Sequence, residues 1–259
     1  FPPEGILSRW VPWNWLTLVM VITMSVLPLA LMLMKFLPDK GFLLAKPLGI
    51  VIVSYIVWLL VSLKVATFSA TTIYLAIGLV GIVSFGMAYW QRTELNSLVR
   101  ERWRLWLIEE GIFLVVFLAF FGLRLANPDL WHPWRGGEKF MELAYLTATT
   151  KSTFMPPYDP WFAGGYLNYY YYGYFIVGLL GKALGIVPAV VFNLAIPLFG
   201  ALTFSGSFSV VYNLVEKSRT TSLWHGIGWF PVIGGLTGGL FVGIIGNLDG
   251  ILQVIQNGW

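Results

Sequence analysis

Six stretches of the chain, about 15–37, 47–64, 70–90, 105–126, 188–215 and 225–246, are apolar and long enough to cross a lipid bilayer. A helix needs about 20 apolar residues to cover the hydrocarbon core. Inside that core each backbone N–H and C=O must find its partner within the segment, which leaves a helix as the simplest solution. The pattern predicts an all-α fold, a polytopic transmembrane helix bundle. Composition agrees, with 58% hydrophobic and 11% charged residues against about 25% charged in a soluble domain. A water-soluble fold of 259 residues has too much surface for its volume to hide that much apolar area. The net charge of +4 does not point to nucleic acid, because no basic run with interleaved aromatics occurs and membrane proteins collect Lys and Arg at their cytoplasmic rim.

Charge in the short loops sets the expected direction. Lys35, Lys40 and Lys46 lie in one loop, and Arg92, Arg100, Arg102 and Arg104 in another two spans later. Both are cytoplasmic by the positive-inside rule. The protein is then a multi-pass protein of the cell membrane with its N-terminus external, and the fourth span runs outward. Trp13, Trp15, Trp90, Trp103, Trp106 and Trp224 flank the spans as an interfacial belt. Glu109 and Glu110 fall in the first turns of the fourth span and are expected to snorkel to the interface beside Arg102 and Arg104. Pro28, Pro197 and the glycine-rich run from Gly234 to Gly246 predict kinks and close helix contacts. A seventh apolar segment, Tyr169 to Gly185, is short for a span. A full crossing would put Lys217 and Arg219 outside, so it is expected to lie in the outer interface or to enter only part-way.

There is no cysteine, hence no disulfide frame, thiolate metal site or cysteine nucleophile. The two histidines, His132 and His225, are too few for a haem or pigment stack. The chain begins Phe1-Pro2-Pro3-Glu4 and stops in the polar segment Asn257-Gly258-Trp259, from which it is expected to be part of a longer protein.

The loop after the fourth span concentrates the chemistry missing elsewhere. It reads NPDLWHPWRGGEKFMELAYLTATTKSTFMPPYDPWFAGGYLNYYYYGYF and carries Asp129, His132, Arg135, Glu138, Lys139, Glu142, Lys151 and Asp159. A simple connection does not need this length. Residues 138–150 read as an amphipathic helix opened by Gly136-Gly137, with Glu138, Met141, Glu142, Tyr145 and Thr149 on one face. Two carboxylates one turn apart repel unless a cation sits between them: a metal ion, Lys139 or Arg135, or a substrate. The prolines around Asp159 fix an extended path, and Asp159 before Pro160 forms turns. Asn168 is followed by Tyr169, Tyr170, Tyr171 and Tyr172, and then Tyr174. Phenols offer hydrogen bonds and apolar faces together, which suits a sugar ring or a lipid-linked phosphate.

The strings EKFMELAYLTA, PPYDPWFAGG and NYYYYGY resemble a family of very hydrophobic archaeal and bacterial membrane proteins named for its YYY motif. That family is grouped with the GT-C superfamily of membrane glycosyltransferases. The resemblance covers about residues 110–185. It implies a GT-C-like bundle with a long external loop, 127–185, carrying juxtamembrane helices. An N-terminal three-helix region, 1–104, would precede an incomplete GT-C-like core, 105–259.

In GT-C enzymes such as protein O-mannosyltransferases and aminoarabinose transferases, an acidic residue near the start of this loop is catalytic. Glu138 takes that position, with Glu142 on the same helix, and Tyr169 to Gly173 stand where those enzymes carry a His-Pro-Pro stretch. GT-C loops usually show Asp-Glu or Asp-x-Asp, whereas this one has Gly137-Glu138.

The implied function is transfer of a sugar from a polyprenyl-phosphate donor on the external face, with Glu138 as general base. Arg135, Lys139, Lys151 or a divalent metal would stabilise the departing phosphate, and Asp159, Asn168 and Tyr169 to Tyr172 would bind substrate. The partners are then the lipid-linked sugar donor and membrane lipids. Two other classes stay open. One is a transporter or flippase of lipid-linked solutes, the other a non-catalytic subunit packed among other membrane subunits.

Overall fold

The computed structural model describes residues 6–130, 137–221 and 229–247. They form eight helices: α1 (Ile6–Leu33), α2 (Ala45–Ser62), α3 (Ala70–Trp90), α4 (Arg92–Ala126), α5 (Lys139–Lys151), α6 (Tyr171–Leu184), α7 (Pro188–Thr221) and α8 (Phe230–Gly243). Five of these, α1 to α4 and α7, contain a stretch long and apolar enough to cross a membrane. The expected fold class holds at that level. The sixth expected span, 225–246, is represented among the described residues by α8, with 14 residues that rise about 21 Å; residues 225–228 lie outside the described ones. The helix gives way to a 3-10 turn at Ile245–Asn247.

α1, α2 and α3 pack on one another, with Val19, Ile22 and Val26 buried against Val53, Val57, Ile73 and Ala76. Gly49 makes the closest approach, since a Cβ there would lie 3.0 Å from the Ile22 carbonyl oxygen. Ser69 caps α3 by accepting a hydrogen bond from the Thr72 amide at 3.3 Å. The opposite face of α3 leaves Leu75, Leu79, Ile82 and Phe85 exposed, as a lipid-facing surface requires. α8 seats its glycines on α7: Cβ atoms at Gly235 and Gly239 would meet the Phe208 and Phe204 rings at 2.7 and 2.6 Å, the close contact expected of this run.

α4 is continuous from Arg92 to Ala126, so residue 104, the boundary between the two expected regions, lies inside it. It runs antiparallel to α7. Asn193 donates to the Pro128 carbonyl at 3.4 Å at one end, Gly200 faces the Phe120 ring midway, and Trp106, Ser209 and Asn213 converge on Asp39 at the other. The segment 127–187 therefore leaves and re-enters the bundle on one face. The loop bearing Lys35 and the start of α4 at Arg92 lie on the opposite face, joined by the Lys35–Glu94 ion pair at 3.6 Å. This grouping matches the one charge counting gave. α6 does not lie flat in an interface. It enters the bundle and packs against α1, α2, α3, α5 and α7, with Phe175, Leu179 and Leu180 buried.

Glu109 departs from its expected place. It is fully buried, on a stripe of α4 shared with Trp106, Phe113 and Phe117, and both its carboxylate oxygens lack a hydrogen-bond partner among the described residues. Glu110 pairs with Lys46, which is itself fully buried with its ammonium 4.7 Å above the Phe113 ring. Neither carboxylate snorkels, because the helix phase that buries Phe113 and Phe117 also turns Glu109 inward, towards Asp39 and Lys46.

Candidate active site

α5 stands at the mouth of the bundle and is held there from below. Lys182 donates from α6 to the Thr150 and Ser152 carbonyls at 2.6 and 3.4 Å, satisfying the C-terminal end of α5. Its burial lowers the ammonium below the ordinary lysine value. The Phe68 amide donates to the Thr153 carbonyl at 2.8 Å. Gly178 lets α6 approach, since a Cβ there would sit 3.0 Å from Thr150 Cγ2. At the other end Gly137, at φ +56, turns the chain into Glu138, and the Glu142 amide donates to the Glu138 carbonyl at 2.9 Å as the first turn forms.

Beneath that first turn lies a cavity of about 560 Å³ between α5, α6 and α7. Glu138 and Glu142 edge it together with Tyr170 and Tyr174, and its walls are apolar, with Met141, Val177, Phe192 and Phe199 among them. The two carboxylates thus share a cleft, as one face of the helix predicts. A second cavity of about 300 Å³ shares Val177 and Phe199 with the first and reaches Pro47 and Ile50 of α2. It runs towards the opposite face and is lined almost wholly by apolar side chains.

The tyrosine quartet divides. Tyr170 adopts φ +61, the left-handed region rare for a bulky residue, and this turn separates the pairs. Tyr169 and Tyr170 stay exposed at the mouth, with ring centroids 4.0 Å apart. Their side-chain hydrogen bond raises the Tyr170 phenol above its ordinary value. Tyr171 and Tyr172 turn instead to α2. The Trp58 indole donates to the Tyr171 hydroxyl at 2.8 Å, and the Tyr172 and Ser54 hydroxyls share a hydrogen bond of 3.4 Å. They anchor α6 and are not among the residues that line the cavity. Tyr174, which was not among the expected site residues, does line it. Burial and then the nearby Glu142 push its phenol up to about 12, so it stays a neutral donor beside the carboxylates.

Asp159 builds a turn: its Oδ1 accepts from the Trp161 and Phe162 amides at 2.8 and 3.2 Å, and its own amide donates to the Gly165 carbonyl at 3.0 Å. It also faces a smaller cavity shared with Glu138. Lys139 follows Glu138 in sequence but lines neither cavity. Asn168 is exposed. Lys151 is exposed at the far end of α5, about 19 Å along the axis from Glu138. Arg135 and His132 lie outside the described residues. Among the described residues no group of three or more His, Cys, Asp or Glu side chains is placed to hold a metal ion. The cavity offers two carboxylates and two phenols as donors.

The family model described as "Uncharacterized membrane protein (DUF2298)" matches residues 52–259. No curated protein and no solved structure matches the chain.

Proposed function

We propose that this chain, which belongs to the DUF2298 family of membrane proteins, transfers a sugar from a polyprenyl-phosphate donor at the cavity below Glu138. One observation carries the reading: a carboxylate-edged mouth opens onto an apolar cavity, and that cavity shares walls with a second apolar one running deeper along α6 and α7. A ligand matching both parts has a polar headgroup and a long hydrocarbon chain. The face bearing 127–187 is then the external one, and the fold is GT-C-like with Glu138 in the place of the catalytic acid residue.

In the proposed step an acceptor hydroxyl oxygen attacks the anomeric carbon of the donor sugar. Glu138 takes the hydroxyl proton, the bond from the anomeric carbon to the phosphate oxygen breaks, and polyprenyl phosphate leaves with that electron pair. The first-turn amides of α5 supply positive potential for the departing phosphate. Tyr174, neutral and donating, holds the sugar hydroxyls against Glu142. Proton transfer by a positioned group contributes about 10²–10⁴-fold, so Glu138→Gln in the purified, reconstituted chain should cut release of polyprenyl phosphate at least ~10-fold with unchanged expression. Undiminished release would remove Glu138 from the role.

A second reading, movement of a lipid-linked solute across the membrane, is favoured by the buried group Asp39, Lys46, Glu109 and Glu110, since ionisable side chains inside a bundle mark transport pathways. Flipping of a fluorescent lipid-linked sugar by vesicles holding the chain, without release of polyprenyl phosphate, would select it.

A further inference from the structure

Glu138 stands between two cavities. Besides the 560 Å³ cleft it edges, it lines a second space of about 350 Å³ on the outer side of α5, formed with Phe140, Tyr145, Asp159 and Trp161. The two spaces share Glu138 and Met141. Group transfer brings two substrates to one base, and the base must touch the one whose proton it removes. The inner space continues into apolar depth through the cavity that shares Val177 and Phe199 with it. The outer one has a different chemistry: aromatic faces, two carboxylates, and no Lys or Arg among the described residues that line it.

We propose that this outer cavity is the acceptor subsite, and that it takes an uncharged, hydroxyl-rich acceptor, a carbohydrate. This rests on the transfer reading above and adds the identity of the second substrate. Carboxylates accept hydrogen bonds from hydroxyl groups and repel anions. Aromatic faces cover the apolar C–H face of a sugar ring. The volume sits at the small end of the range for ligand pockets, about 300–1,000 Å³, which suits one or two rings. The platform is built in advance. Asp159 accepts from the Trp161 amide at 2.8 Å, and Gly164 at φ +78 closes the turn. Trp161, 61% exposed, is therefore presented on an ordered loop without being buried in the fold.

The test uses the full chain in lipid nanodiscs and neutral methyl glycosides and oligosaccharides as probes, with sugar acids as controls. Binding is read by ligand-observed magnetic resonance, independently of turnover. The expected result is binding of a neutral glycoside to the wild type and to Glu138→Gln. Trp161→Ala, an exposed change that leaves the bundle intact by size-exclusion profile, should weaken that binding and raise the acceptor KM about tenfold, with the donor KM unmoved. Equal binding to Trp161→Ala, or tighter binding of the sugar acids, would overturn the acceptor subsite while leaving transfer untouched. Glycoside binding that depends on Trp161 without any release of polyprenyl phosphate would uphold a carbohydrate site and overturn its role as acceptor, together with the transfer reading.

Discussion

Among the described residues Lys46 is the one fully buried cation, grouped with buried Asp39 and Glu109 and half-buried Glu110, and its removal is the sharpest perturbation of the fold. Its side chain is 0% exposed and that of its partner Glu110 is 17% exposed, so solvent screens the pair little. Lys46→Met leaves three carboxylates near one another inside the bundle. Breaking a buried pair from one side costs about 3–5 kcal/mol. The ammonium also lies 4.7 and 5.4 Å from the Phe113 and Phe42 rings, and that contact is part of the same loss. At about 2–4 °C per kcal/mol for a domain near this size, the melting temperature in detergent micelles should fall by about 6–20 °C. Replacing the whole pair has a different sign, because apolar residues of similar volume avoid the desolvation cost altogether. Lys46→Met/Glu110→Leu should recover most of the fall, a large coupling between neighbours. Circular-dichroism melts of the wild type, Lys46→Met, Glu110→Leu and the double variant measure it. A Lys46→Met chain that melts within a degree or so of wild type, or a double variant no better than the single, would refute the reasoning.

Two further outcomes follow from the packing and the phenols around the cavity. A Cβ on Gly181 would lie 2.3 Å from Val191 Cγ2, so Gly181→Ala should destabilise by about 1–3 kcal/mol, and adding Val191→Ala should restore part of it in the same melts. Tyr174 has its phenol raised to about 12 from 10.0; the stabilisation it contributes is complete below pH 10 and lost as pH rises through 12. Tyr174→Phe should therefore flatten the alkaline fall in stability over that window, read as the pH dependence of the melting temperature.

The spans were legible because about 20 apolar residues in a row carry one physical meaning. α5 was legible because Glu138, Met141, Glu142 and Tyr145 repeat at helical spacing, and the cleft below them follows from that face. The tyrosine quartet was not. Read as a helix start, successive residues would point about 100° apart, and the sequence does not show that the helix begins only at Tyr171. Which of them face the cavity depends on the left-handed turn at Tyr170 and on Trp58 and Ser54 in α2, more than a hundred residues away. The distance of Lys151 from Glu138 was legible by arithmetic, since it stands twelve residues up the helix from Lys139. Glu109 looked like an interfacial residue beside arginines. Its burial became readable only once the chain between α1 and α2 brought Asp39, and the first turn of α2 brought Lys46, against α4.

The most direct test of a lipid-linked substrate below Glu138 uses the chain's own lack of cysteine. Phe199 lines both the carboxylate-edged cavity and the deeper apolar one, so a single Phe199→Cys reports on the occupant of both. Maleimide labelling of that cysteine should slow several-fold on adding polyprenyl phosphate, while a cysteine at Leu75 on the outer face of α3 keeps its rate. Labelling at residue 199 that is unchanged at saturating polyprenyl phosphate would contradict the account.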